Sequence, residues 1–232
     1  IFSFIPNTAE VAFYGLLKGM EEYLNTIKVQ RIMAWGKDFD EEKLSEMINR
    51  RIRVEKVAIK DVKMRTFITE DSNRTEMVQH VYDITYGTVR NGEDTLAVID
   101  DSIVRGTTSK ESIVRMLARL SPKKILIVSS APQIRYPDCY GIDMSKLGDF
   151  IAFRAAIALL KESGRESLLD ELYARCKEMH RNNHLHSENL VKQVYKPFTP
   201  EQISSKIAEL ITPPEVKVPV ELIYQTIEDL HE

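Results

Sequence analysis

The apolar positions of this chain fall into short blocks set between charged stretches, and the period changes from block to block. "IFSFIP" at the start, "TLAVID" at 95–100 and "KKILIVSS" at 123–130 are near-continuous apolar runs of strand length, as in parallel strands buried on both faces. "AEVAFYGLLKGMEEYLN" (9–25) places Val11, Tyr14, Leu17, Met20 and Leu24 near helical spacing and predicts an amphipathic helix. "KVQRIMAW" (28–35) reads as a strand with Trp35 as a core aromatic at its end, and "RVEKVAI" (53–59) as another. Between them, "DFDEEKLSEMINRR" has early acids and late bases, the order that suits a helix dipole. "TSKESIVRMLARL" (108–120) is a helix with Ile113, Val114, Leu117 and Leu120 on one face, so 95–130 is a strand–helix–strand unit.

Residues 60–92 are polar with weak periodicity and predict a long excursion, a lid. After "YGIDM" (140–144) the pattern turns helical: "LGDFIAFRAAIALLKESG", "ESLLDELYARCKEMHRN", then 199–212, closing on "VPVELIYQTIEDLHE". "PPEVKVP" (213–219) reads as a linker. The expected fold is α/β, a parallel sheet flanked by helices. Residues 1–145 form the core with the lid at 60–92, and 146–232 a mostly helical C-terminal appendage.

The 232 residues are 43% hydrophobic and 29% charged, which supports a globular core, and the net charge of −3 gives no reason to expect nucleic acid or an anionic membrane as partner. No apolar run reaches the ~20 residues of a membrane span. Two cysteines, Cys139 and Cys176, suit a reducing cytoplasm better than a stapled secreted domain.

The chemistry concentrates in "TLAVIDDSIVRGTTSKES" (95–112). An apolar strand ends on Asp100 and Asp101, and Ser102, Arg105, Gly106, Thr107, Thr108 and Ser109 follow before a helix. In an open parallel sheet, ligands bind at the carboxyl ends of strands. Amide groups at a helix start carry partial positive charge and suit phosphate. Gly106 permits close approach, and the Thr and Ser hydroxyls add donors. Adjacent carboxylates accept hydrogen bonds from vicinal ribose hydroxyls and suit Mg²⁺, a hard cation that completes its shell with ligand oxygens. One loop thus offers a ribose clamp beside a phosphate cradle. The bland alternative is a turn and a helix cap.

"VIDDSIVRGTTS" resembles the phosphoribosylpyrophosphate signature of type I phosphoribosyltransferases. With "SSAPQIRYPDCYGIDM" downstream it resembles the amidophosphoribosyltransferases more narrowly, while "FSFIPNTAEVA" is similar to that family's opening strand and pyrophosphate loop and "MRTFI" to the start of its flexible loop. The resemblance implies a type I phosphoribosyltransferase fold and displacement of pyrophosphate from phosphoribosylpyrophosphate by ammonia, giving phosphoribosylamine in purine biosynthesis. It implies that Asp100 and Asp101 hold the ribose hydroxyls and organise Mg²⁺. Thr8 would complete the metal and pyrophosphate site, and Ser102 and Arg105 through Ser109 would bind substrate. It also implies a cytoplasmic homo-oligomer, purine nucleotides as inhibitors, and an N-terminal glutaminase domain that this chain does not contain, Ile1 standing where the transferase domain would begin.

The chain departs from the family's pattern at several positions. Gln79 and Val81 stand where relatives carry loop cations, Met64 where they carry glycine, and Ala9 where many carry serine. Arg65, Arg74, Lys60 and Lys63 are the substitutes at hand. The missing cations motivate the alternative function, a module that binds phosphoribosylpyrophosphate or purine nucleotides as a sensor. Asp138 occupies a cysteine position used by relatives with an iron–sulfur cluster, and Cys139 is one residue off, so no iron–sulfur cluster is expected. His180, His184 and His186 read as solvated surface and Tyr136 and Tyr140 as loop packing. Arg50, Arg51 and Arg53 read as a charged edge.

Overall fold

The computed structural model describes residues 1–6, 9–36, 40–60, 82–105, 108–138, 144–182 and 188–231. The chain builds a parallel sheet of four strands in the order β1 (Phe2–Phe4), β4 (Thr95–Asp100), β5 (Lys124–Ser129) and β6 (Val220–Tyr224). A separate antiparallel pair joins β2 (Ala58–Lys60) to β3 (Tyr82–Ile84). The three apolar blocks read as buried parallel strands are therefore β1, β4 and β5, and "TSKESIVRMLARL" forms the crossover helix α3 (Thr108–Ala118) between the last two.

The two faces of the sheet are covered unequally. On one face, Leu96 and Val98 of β4 and Ile125 and Ile127 of β5 meet Val114 and Leu117 of α3 in a single buried cluster. Helices α4 (Ile151–Glu162) and α7 (Pro200–Ile211) complete that cluster with Ala155, Leu160, Ile203 and Ile207. The helical segment after residue 145 thus packs directly on the sheet, and β6 extends it. Helix α7 starts well defined: Thr199 accepts from the Gln202 amide, Gln202 reciprocates, and Pro200 follows the cap. Helix α5 (Ser167–Arg181) and the short α6 (Lys192–Tyr195) lie between them in sequence, and α8 (Ile227–His231) closes the described chain.

The opposite face is covered by one helix, α1 (Glu10–Trp35), through a small cluster of Phe4, Ala9, Phe13 and Ile99. Three expectations are corrected here. "KVQRIMAW" is the second half of α1, not a strand: Val29, Ile32 and Met33 are spaced three and four apart, and no proline or glycine separates them from the preceding helix. Trp35 accordingly sits at a helix end. Of the stripe Val11, Tyr14, Leu17, Met20 and Leu24, the first two are 82% and 60% exposed, whereas Leu17 packs against the small cluster and Met20 and Leu24 are half-buried. Phe13 is the anchor, because the three-residue β1 offers room for little more. "RVEKVAI" is not one strand either: Val54 makes an isolated bridge to Phe2, and pairing resumes only at Ala58. The predicted helix at 38–51 is present as α2 (Glu41–Asn49), capped by Asp40 accepting from the Lys43 amide.

Arg53 ties this irregular stretch to the turn before β4. It donates to Asp94 at 2.8 Å, to Glu55 and to the Thr88 carbonyl, and Asp94 also holds Arg90. Most of the expected lid, residues 61–81 with Met64, Gln79 and Val81, lies outside the described residues.

Candidate active site

The four parallel strands bring their carboxyl ends to one edge, and Asp100 sits at the end of an inner strand. Its Cα partner on β5 is Ser129, whose partner on β6 is Tyr224. Side chains alternate along a strand, so cross-strand partners share a face. Asp100, Ser129 and Tyr224 therefore form a polar row across the sheet, directly above the apolar rows headed by Val98, Ile127 and Leu222. Asp100 is only 5% exposed and Ser129 is fully buried.

Adjacent carboxylates on Asp100 and Asp101 repel, and the local backbone offsets part of that charge. Asp100 Oδ1 accepts from the Asp101 amide at 3.0 Å, and Asp101 Oδ1 accepts from the Ser102 amide at 2.7 Å. β5 contributes a second tie. The Ser130 amide donates to the Asp100 carbonyl at 2.9 Å, and Ser130 Oγ to the Asp101 carbonyl at 3.0 Å. Ser129 and Ser130 were not singled out as site residues in the sequence. Their signal was the abrupt change from "KILIV" to paired serines at a strand end.

The loop that follows is fixed by its own apolar residue. Ile103 is 2% exposed and enters the main core, and the Ile151 amide of α4 donates to the Val104 carbonyl at 2.9 Å. Ser102 and Arg105, both half-buried, follow the acids on this anchored loop. Thr108 and Ser109 are the first residues of α3, with side chains outside the description. Thr8, Gly106 and Thr107 lie outside the described residues, as do Cys139, Tyr140, His184 and His186. The described loop thus carries Asp100, Asp101, Ser102 and Arg105 in succession, with the start of α3 after them.

The stretch after β5 is also pinned. Tyr195 Oη donates to the Arg135 carbonyl at 2.8 Å, the Arg135 guanidinium lies 5.3 Å from the Tyr195 ring centre, and Tyr136 packs edge-on to the same ring. Tyr136 is a packing residue, as its sequence context suggested. Burial pushes the Tyr195 hydroxyl well above the usual phenol range. Among the described residues, no three histidine, cysteine or acidic side chains gather where a metal would sit.

With this geometry in place, similarity to known proteins becomes informative. No protein-family profile matches the chain. Curated relatives match over one segment: amidophosphoribosyltransferase of Pasteurella multocida is 55% identical over 56 residues, and that of Escherichia coli 51% over 55 residues. Each match covers 24% of this chain and 11% of the relative. The enzyme of Lachancea kluyveri is 39% identical over 85 residues, or 34% of this chain and 16% of its own length. The chain carries an amidophosphoribosyltransferase-like segment. It matches only about a tenth of the length of the first of these relatives, so their full activity is not transferred by similarity alone.

Among solved structures, the phosphoribosylpyrophosphate amidotransferase of B. subtilis, complexed with ADP and GMP, aligns with a TM-score of 0.40 at 25% identity over 65% of this chain and 26% of its own. A structure described as the allosteric regulatory enzyme of purine biosynthesis aligns with a TM-score of 0.36 at 31% identity, over 52% of this chain and 26% of its own. At these scores the superpositions add nothing to the amidophosphoribosyltransferase-like reading, which rests on the sheet edge and the matched sequence.

Proposed function

We propose that this chain is the phosphoribosyl-transfer part of a purine-biosynthetic amidophosphoribosyltransferase with a type I phosphoribosyltransferase fold. Its reaction would displace pyrophosphate from phosphoribosylpyrophosphate with ammonia, giving phosphoribosylamine. One observation carries the reading: two adjacent carboxylates end an inner strand of a parallel sheet, beside a loop that leads into a helix start. That arrangement suits a sugar whose vicinal hydroxyls donate to the acids and whose phosphate meets the loop.

In this reading Asp100 and Asp101 hold the ribose hydroxyls and orient the anomeric carbon, while their negative charge favours cation character as the leaving group departs. Arg105 and the Gly106–Ser109 stretch hold the 5′-phosphate, and Ser102 adds a polar contact. The buried Ile103 keeps both halves of this clamp in register. The two carboxylates are hard oxygen donors at one point, which fits Mg²⁺. Asp100, Asp101 and Thr8 would hold it, and the ion would supply charge neutralisation on pyrophosphate.

The experiment is pyrophosphate release from phosphoribosylpyrophosphate with ammonia and Mg²⁺. Asp100→Asn should lower turnover by about 10²-fold or more, the scale of losing a group that stabilises transition-state charge. No release from the unaltered chain, including after fusion to a glutaminase domain, would sink the proposal.

A further inference from the structure

A second site lies on the far side of β6, away from the two acids. We infer that the outer edge of β6 and the groove between it and α7 dock an extended, basic segment of a partner protein, which adds as a fifth strand. β6 ends the sheet order. The Ile125 amide donates to the Pro219 carbonyl at 2.9 Å and the Gln225 amide to the Ser129 carbonyl at 3.0 Å. Parallel ladders alternate, so the odd-numbered residues of β6 face β5. Val220, Leu222 and Tyr224 turn their N–H and C=O groups outward. Edge strands are normally blunted by proline, lysine, a bulge or a covering element. Pro219 stands directly before the edge, and among the described residues the amides of the three outward positions have no backbone partner.

The groove beside this edge encloses about 1270 Å³ and is floored by β6, walled by α7 and closed at one end by residues 132–136. Its lining carries four carboxylates, Glu201, Glu209, Glu221 and Glu228, against one guanidinium, Arg135. Glu209 and Glu221 hold Lys206 and Lys124, whereas no ion pair among the described residues engages Glu201 or Glu228. Tyr224 lines the same groove, and its hydroxyl is buried with no hydrogen-bond partner among the described residues.

Charge selects the occupant. A second copy of β6, "VELIY", would bring another glutamate to an acidic rim, and like charges across strands are destabilising. An alternating apolar and basic segment instead satisfies the strand edge, the apolar floor and the carboxylates together.

The test uses the ¹⁵N-labelled chain and three short synthetic peptides. One alternates Lys and Val, one alternates Glu and Val, and one repeats the basic sequence with alternate backbone nitrogens methylated. The basic peptide should shift the amide signals of Val220, Leu222 and Tyr224 saturably and slow their exchange, while the other two should not. Glu228→Gln on the exposed rim should weaken binding about two- to fivefold at low salt. Glu201→Gln, at a second exposed carboxylate of the lining, should weaken it by a similar factor. The inference is overturned if those amides do not move, if the acidic or methylated peptide binds as well, or if neither substitution changes affinity. Protection of the same amides by the chain's own concentration would overturn it in favour of a second copy.

Discussion

At the scale of single residues, ionisation explains how the end of β4 opposite the acids is held. Asp94 is 8% exposed and accepts from the Arg90 guanidinium and backbone amide and from Arg53. The Arg90 hydrogen bonds, reinforced by Arg53, hold its carboxyl well below the usual carboxylate range. A carboxyl whose folded pKa is depressed contributes stability that is fully present above its unfolded pKa of about 3.9 and declines progressively as pH falls from there through the depressed folded value. Asp94→Asn should therefore destabilise the protein more at about pH 7 than at about pH 3, by urea unfolding at the two pH values. An equal effect at both would remove the ion pair from the account.

The buried phenols have the opposite sign. Burial raises both Tyr195 and Tyr224, so the neutral forms are favoured and their stability is present below about pH 10 and lost above it. In an ultraviolet titration, two of the nine tyrosines should stay un-ionised until the fold opens at alkaline pH. Normal titration of all nine would contradict the packing around the 131–138 stretch and β6.

At the scale of elements, legibility followed burial. β4 was readable because both of its faces are covered, and β5 because its run stays apolar although Leu126 and Val128 on the second face are half-buried; the paired acids were readable because they interrupt such a run. The second half of α1 was misread. Val29, Ile32 and Met33 have helical spacing, but Val29 and Met33 are exposed, so this stripe packs on little that would distinguish it from a short strand in sequence. β6 was missed as a strand although Val218, Val220, Leu222 and Tyr224 alternate, because the prolines before it looked like a linker. Two serines end an apolar run in the sequence, but their tie to the acids and the burial of Ile103 depend on contacts distant in sequence.

Helix α1 carries a prediction of its own. Gly15 and Gly19 lie inside it, and a methyl group at either would meet nothing within 4 Å. Gly19→Ala should stabilise the protein by about 0.5–1 kcal/mol through helix propensity, read from urea unfolding. No change would show that this part of α1 does not take part in the cooperative unfolding transition.

At the scale of the molecule, a well-covered sheet face supports a lightly covered one, and the candidate site sits at the carboxyl edge between them. The main core of β4, β5, α3, α4 and α7 makes that edge rigid where the acids stand, whereas α1 hangs on Phe13 and its neighbours. No helix among the described residues is long and apolar enough to cross a membrane. The central claim is that Asp100 and Asp101 are there for a phosphorylated ribose and its metal. Calorimetry of phosphoribosylpyrophosphate binding, with and without Mg²⁺, tests it most directly when the chain is compared with its Asp100→Asn/Asp101→Asn variant. The account predicts saturable binding that requires Mg²⁺ and vanishes in the variant. Binding that survives in the variant, or a nucleoside monophosphate binding without Mg²⁺ where phosphoribosylpyrophosphate does not bind, would contradict it.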